Sequence, residues 1–332
     1  MAKVLYLIAS HTNPDQVVRL VRAIKSRSPE SQILIHHDYS NSHLDLTAFE
    51  SMSNVTIMED YVPVLWGDFS MIKMELHCIN WLMTHSVEFD WLIFLSGQDY
   101  PIHPISQIEQ FLEETEYDGF MEYFLAEDPP EKPTEFGLRW LKHTGKDRFF
   151  YRYYKLPSPA IVKSVVFRLS RLTHGWQSLV RFVTDRNGAH LGIRAFSSAF
   201  TPKFRCYAGS QWHTLSYRCI QYIHDFVQCN PSFVEYYQRT IIPDESFFQT
   251  IVLNQPTLKI CNDNKRFIAW TPQSTPAILG VQDCDRLIHS NQHFARKFDI
   301  KVDAQVLDRL DRHLSGNREP IDLAISNIDT LQ

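Results

Sequence analysis

The residues best suited to chemistry lie in one stretch, Ile241-Ile242-Pro243-Asp244-Glu245-Ser246-Phe247-Phe248-Gln249-Thr250-Ile251-Val252-Leu253-Asn254. Pro243 suits the first turn of a helix, where a missing N–H costs nothing, and Asp244 and Glu245 then fall where the helix terminus favours a carboxylate. Phe247, Phe248, Ile251 and Val252 recur at helical spacing, so the predicted helix is anchored in a core and holds Glu245 at the mouth of a cleft. A carboxylate held there is available for proton transfer. The competing reading is that Asp244 and Glu245 only complement the helix dipole, and the rest of the chain has to decide between the two.

Such a support needs a scaffold, and the first third of the chain spells one out. Val4 to Ala9 is an apolar run of the length of a buried strand, followed by a helix carrying Val17, Val18, Leu20, Val21 and Ile24. A second strand, Gln32 to His37, ends on His37-Asp38; Asn54 to Met58 is a short third; and Trp91 to Leu95 halts at Ser96-Gly97-Gln98-Asp99. A helix from Met71 to Thr84 lies between the last two, with Ile72, Leu76, Ile79 and Leu82 on one face. This β-α-β-α-β order with right-handed crossovers predicts an α/β fold with a mostly parallel central sheet in three layers. Ligands of open α/β sheets bind outside the carboxyl ends of the strands, where Asp38 and Asp99 fall. Gly97 lets the backbone approach a ligand there. Capping explains Asp38 as well as binding does when it is taken alone. Several polar strand ends pointing one way are harder to explain by capping. No GxGxxG follows the first strand, so a dinucleotide fingerprint is absent.

The 332 residues suffice for one large domain, 44% hydrophobic and 21% charged, with a formal net charge of −5 that argues against nucleic acid as the partner. Six cysteines stand without a CxxC pair or metal-like spacing to histidine, which predicts free thiols, a reducing compartment and no structural zinc. Of fifteen histidines only His11, His36 and His37 fall near the predicted strand ends. The chain is expected to turn irregular from Ala126 to Thr144, where Pro129, Pro130 and Pro133 exclude regular structure. From Arg148 to Arg186 basic residues are set among Val165, Val166, Phe167, Trp176 and Leu179, a composition that fits a basic amphipathic helix. Such a helix is either packed on the domain or, through residues 161–183, in weak peripheral contact with a membrane.

The motifs His36-His37-Asp38, Trp66-Gly67-Asp68-Phe69-Ser70, Leu95-Ser96-Gly97-Gln98-Asp99-Tyr100-Pro101-Ile102, Gly209-Ser210-Gln211-Trp212, Pro243-Asp244-Glu245 and Phe294-Ala295-Arg296-Lys297-Phe298-Asp299 run in order along nearly the whole chain. In that order and at that spacing the sequence resembles glycosyltransferase family 14, the core-2/I-branching β-1,6-N-acetylglucosaminyltransferases and peptide O-xylosyltransferases. The resemblance implies a GT-A-like fold that transfers a sugar, N-acetylglucosamine or xylose, from a UDP-sugar to a hydroxyl of a glycan, protein or small molecule. It implies inversion without a metal or any cofactor beyond the donor. It places the general base on Glu245, the cation at the diphosphate on Lys297 beside Arg296, and the nucleotide contacts on Asp38, Val64 and Asp99. On the acceptor side it suggests Trp212, Trp270 and Arg266.

The chain departs from that pattern at three points. A second basic residue at the diphosphate has no clear counterpart, since Ser274 or a neighbour occupies its region and Arg266 is the substitute on offer. The sequence around Trp270, Thr271-Pro272-Gln273, differs. Neither a membrane anchor nor structural disulfides are in evidence, so a bacterial-type cytoplasmic setting is expected, extending at most to the inner face of the membrane. Asp283-Cys284-Asp285 has the spacing of a metal-binding pair but opens a predicted helix, where capping explains it. Residues 1–315 are expected to form a single domain: a nucleotide-binding half (1–125), a variable insert (126–200) and a catalytic half (201–300), followed by a tail (316–332). The alternative is a sugar-nucleotide- or carbohydrate-binding protein of the same fold that has lost transfer.

Overall fold

Apolar side chains that alternate along the first strands dictate a sheet covered on both faces. In β1 (Val4–Ser10) Leu5 and Leu7 join one core while Val4, Tyr6 and Ile8 join another. The first core includes residues of α2 (Ser70–Thr84), the second residues of α1 (Pro14–Lys25). These observations come from a computed structural model, which describes residues 2–130, 144–157, 164–166, 168–169, 179–195, 199–271 and 275–315.

The central sheet has seven strands. One half is parallel and follows the expected order: β1 pairs with β2 (Gln32–His37) and β4 (Trp91–Ser96), and β2 with β3 (Val55–Ile57). β5 (Asp99–Pro101) follows, then α3 (Ile105–Glu114) and β6 (Gly119–Leu125). The other half holds a strand that the sequence reading did not assign, β10 (Tyr207–Ser216), inserted antiparallel between β4 and β6. α5 (Tyr217–Cys229), α6 (Pro231–Tyr237) and α7 (Phe247–Leu253) come next, with buried Cys219, Ile220, Ile223, Phe233, Phe247, Phe248 and Ile251 extending the first core. β11 (Ile260–Cys261) closes the edge of the sheet, parallel to β6. The mostly parallel, three-layer α/β sandwich is therefore the architecture adopted.

Among the described residues two smaller sheets accompany the central one. β12 (Arg266–Ile268), β13 (Phe294–Arg296) and β5 form one of them, with Arg296 paired to Asp99. The other departs from expectation. Within the segment read as basic and amphipathic, the described residues 164–166 and 168–169 are helical as expected, but its two ends are strands: β7 (Tyr151–Lys155) and β8 (Val180–Asp185) form an antiparallel sheet with β9 (Gly188–Arg194), preceded by α4 (Thr144–Phe149). Most of 161–183 lies outside the described residues, as do 131–143 of the expected irregular stretch; the end of the former, Val180–Val183, is strand rather than helix. Among the described residues no helix is long and apolar enough to cross a membrane.

α8 (Cys284–Ile288) follows Asp283, whose carboxylate accepts the Gly280 N–H at 3.0 Å and so closes the 3₁₀ turn Val281–Asp283 before the helix rather than capping the helix itself. α9 (Gln305–Leu314) covers the second core with Val306, Leu307, Leu310 and Leu314, and Asp311 accepts from the Tyr100 hydroxyl at 2.6 Å. Leu310→Ala is accordingly expected to cost about 2–5 kcal/mol in urea unfolding. A cost near zero would detach α9 from the core.

Candidate active site

The parallel register brings three carboxyl ends together: Ser10 lies beside His37, and Ala9 beside both His36 and Ser96. Asp38 continues β2 by donating its N–H to Ser10 O at 2.8 Å. Its side chain accepts from Val64 N–H at 2.8 Å and Ser40 N–H at 2.9 Å. Burial works to raise the Asp38 pKa, but the Ser40 and Val64 hydrogen bonds outweigh it and hold the carboxylate below its ordinary range. His36 accepts from Val62 N–H at 2.8 Å and is pushed down to about 4, mainly by burial, so it is neutral at physiological pH. Asp38 and His36 thus fix the loop carrying Val64, as well as lining the strand ends.

Gly97 ends β4 against the same point. A Cβ there would stand 2.9 Å from Val17 and 3.1 Å from Ser10. Gln16, fully buried on α1, donates to Gly97 O at 2.8 Å and Phe298 O at 3.1 Å and accepts from Ile300 N–H at 2.8 Å. One amide therefore ties the β4 turn to the segment that carries Lys297. Lys297 is held further by Leu279 N–H to its carbonyl at 2.9 Å and Phe298 N–H to Gln98 O at 2.9 Å. Burial first, then the charge of Arg296, lowers its ammonium pKa.

The neighbours of Lys297 play other parts than expected. Arg296 is turned inward, its guanidinium 4.1 Å from the centroid of the Trp212 ring and its Nε 3.6 Å from Asp99. Asp99 is fully buried and accepts from the main-chain N–H and hydroxyl of Ser96. Trp212, 4% exposed, stacks on Phe94. Arg266 is 1% exposed and donates to Phe94 O at 2.9 Å. Asp99, Arg296, Trp212 and Arg266 form an internal charged stack that braces β4, β5 and β13. Burial takes Arg266 and Trp212 out of reach of an acceptor and Arg266 out of reach of a diphosphate. Trp270 is partly buried against the first core and bridges to Pro276; residues 272–274 beside it, including Ser274, lie outside the described residues.

Pro243–Glu245 is a separate 3₁₀ turn and not the first turn of a longer helix. Ser246 breaks the run at φ −149°, and its hydroxyl donates to Tyr207 O at 2.6 Å and bonds Tyr237 at 2.8 Å. That anchoring explains the break: Ser246 is held on β10, so α7 starts only at Phe247. Ile242 N–H donates to Gly67 O at 3.0 Å, which seats the turn on the Trp66-Gly67 loop. The Glu245 carboxylate pairs with Arg148 of α4, both side chains about one-fifth exposed. Arg148 was not anticipated, and no local sequence pattern points to it.

Asp244 points the other way and is buried at 7% exposure. Burial first, then the charge of Glu245, pushes its carboxyl up to about 7 from 3.8. Between those values the folded chain binds a proton that the unfolded chain does not, so stability falls as pH rises through that window. Denaturant midpoints measured from about pH 4.5 to pH 7.5 should decline, and Asp244→Asn should flatten the decline. A wild-type profile no steeper than that of the variant would contradict the assignment.

A mainly parallel sheet covered on both faces, with polar side chains such as Asp38 at the carboxyl ends of its strands, defines a three-layer α/β protein. Within that class the chain belongs to the Core-2/I-Branching enzyme family, whose model matches residues 5–301. It is similar to beta-glucuronosyltransferase GlcAT14B of Arabidopsis thaliana, 25% identical over 328 residues that cover 94% of this chain and 66% of that protein. It is also similar to xylosyltransferase 2 of Rattus norvegicus, 24% identical over 348 residues, covering 96% and 34%. Beta-glucuronosyltransferase GlcAT14A of Arabidopsis thaliana is 26% identical over 315 residues, covering 93% and 60%. The chain thus spans between one third and two thirds of the length of these relatives.

Proposed function

We propose that this protein is an inverting glycosyltransferase that moves a sugar from a UDP-sugar to an acceptor hydroxyl without a metal ion. What supports the reading is the pair of functional groups and how they are held: a Glu245 carboxylate oriented by Arg148 on a turn tied through Ile242 to Gly67, and Lys297 on the segment joined by main-chain bonds to the turn after β4. Glu245 takes the proton of the acceptor hydroxyl as its oxygen bonds to the anomeric carbon. The bond from that carbon to the UDP oxygen breaks, and Lys297 meets the charge that develops on the diphosphate. Asp38, with the loop it fixes at Val64, holds the nucleoside.

The strand-end segment Gly97-Gln98-Asp99 supports the metal-free reading, because its one carboxylate is turned into the interior against Ser96 and Arg296. The relatives' names extend the donor sugars worth testing from N-acetylglucosamine and xylose to glucuronic acid. Calorimetry of the purified protein in EDTA against UDP, UDP-glucose and the UDP conjugates of those three sugars tests the reading. Binding of UDP and one sugar nucleotide is expected. Absence of binding would refute it, and binding without slow hydrolysis or transfer would favour a non-catalytic sugar-nucleotide binder.

A further inference from the structure

We propose that Gln16 of α1, seconded by Asn13 at the helix N-cap, is a positioning residue that sets where Lys297 stands against the turn after β4. The inference rests on the UDP-sugar reading above and deepens it. Asn13, Gln16 and Arg19 form a polar row at helical spacing, and each bonds the chain that follows Lys297. Arg19 ends the row on Asp311 of α9 at 2.6 Å. Gln16 is fully buried, on a helix whose other buried residues are Val17, Leu20, Val21 and Ile24. An amide so placed is costly unless its polar atoms are matched. Here both donors and the acceptor are used: Nε2 reaches Gly97 O at 2.8 Å and Phe298 O at 3.1 Å, and Oε1 takes the Ile300 N–H at 2.8 Å.

These bonds fall directly beside Lys297. A main-chain bond, Phe298 N–H to Gln98 O at 2.9 Å, joins the residue after Lys297 to the turn after β4. Gln16 adds a link at the same point, because one amide holds Gly97 O of that turn and Phe298 O together. It thereby fixes the spacing between the strand end and the backbone that carries the ammonium. Asn13, at φ 49° and 9% exposed, donates at 3.0 Å to Asp299 Oδ1, which also takes the Lys301 N–H at 3.0 Å. Burial and Arg296 lower the Lys297 pKa and Asp299 works against them, so the carboxylate that Asn13 holds bears on the charge of the ammonium. Gln16 and Asn13 act through Lys297, and misplacing a group of that kind by about 1 Å can cost on the order of 10²-fold.

The test is calorimetry of the full chain in EDTA with UDP and UMP as probes, in buffers of different ionisation enthalpy, on wild type, Gln16→Met, Asn13→Gly, Lys297→Ala and Leu20→Ala. Met fills the length of Gln16 without its hydrogen bonds, and Gly tolerates the positive φ of Asn13 without its amide. Leu20→Ala loosens the core from the same helix and leaves those bonds in place. Gln16→Met is expected to weaken UDP about tenfold or more, to weaken UMP less, and to reduce the proton uptake that accompanies UDP at alkaline pH. Asn13→Gly moves the same readouts in the same sense, to a smaller extent. Leu20→Ala lowers the thermal midpoint and leaves both nucleotides and the proton uptake at wild-type values. Wild-type UDP affinity and uptake in Gln16→Met, equal losses for UDP and UMP, or matching losses in Leu20→Ala would each overturn the role of the pair. Should Gln16→Met fail to fold, Asn13→Gly decides by the same readouts. If wild type binds no UDP, or Lys297→Ala binds it unchanged, the underlying reading falls and this inference with it.

Discussion

Glu245→Gln is expected to lower sugar transfer by about 10²–10⁴-fold, the range removed with a general base, while UDP binding stays at its wild-type value. The replacement keeps the shape of the side chain and an oxygen that accepts from Arg148, so the turn from Pro243 to Glu245 is retained. What it removes is the capacity to take a proton. Burial and the charge of Glu245 together hold Asp244 up at about 7, so neutralising Glu245 also lets Asp244 titrate lower. Asp244 is turned into the interior at 7% exposure and cannot replace Glu245 at the acceptor. Initial rates with saturating donor, read beside UDP calorimetry on the same preparation, check the prediction. Turnover within tenfold of wild type would exclude Glu245 as the base.

The parallel half of the fold was legible because its signals are local. Continuous apolar runs such as Val4-Leu5-Tyr6-Leu7-Ile8 and Trp91-Leu92-Ile93-Phe94-Leu95 are buried on both faces, and each ends in a polar turn. β10 was missed for a tertiary reason. Its sequence, Tyr-Ala-Gly-Ser-Gln-Trp-His-Thr-Leu-Ser, alternates poorly, because Ser210, His213 and Thr214 are buried beside Trp212 and Leu215. His213 is accommodated by Glu75 of α2 at 2.8 Å, a partner more than a hundred positions away. The register shift between Gly209 and His213 further blurs the period of two.

The insert was read only in part. Residues 164–166 and 168–169 are helical, as the arginines among Val and Phe suggested, but at its end Asn187-Gly188 was the stronger signal, since that dipeptide favours a tight hairpin. The site shows the same division. Glu245 and Asp38 stand out as a carboxylate at a helix or strand end, whereas Lys297 was singled out by the family resemblance alone. The roles of Arg148 and Gln16 depend on which distant segments pack together, and no short window contains them. Gln16 left one trace, a polar residue within the apolar face Val17, Leu20, Val21 and Ile24. Asp99 and Arg296 carried the right chemistry for binding but face inward, which only the pairing of β5 with β13 decides.

Lys297→Ala is expected to lower kcat by about 10²–10³-fold, the scale measured when a preorganised electrostatic group is removed. Neither arginine beside it in the fold can take over: Arg296 is stacked on Trp212 and Arg266 is bound to Phe94 O. Because burial and the charge of Arg296 depress the Lys297 pKa in the free protein, a diphosphate raises it, and UDP binding should be accompanied by proton uptake at alkaline pH. Calorimetry in buffers of different ionisation enthalpy reads that uptake directly. It should vanish in Lys297→Ala and persist in Glu245→Gln, which separates the two halves of the mechanism. Wild-type activity should be unchanged by EDTA. If it collapsed and returned with a divalent cation, the charge facing the leaving group would belong to a metal, and Lys297 would be reduced to a supporting contact.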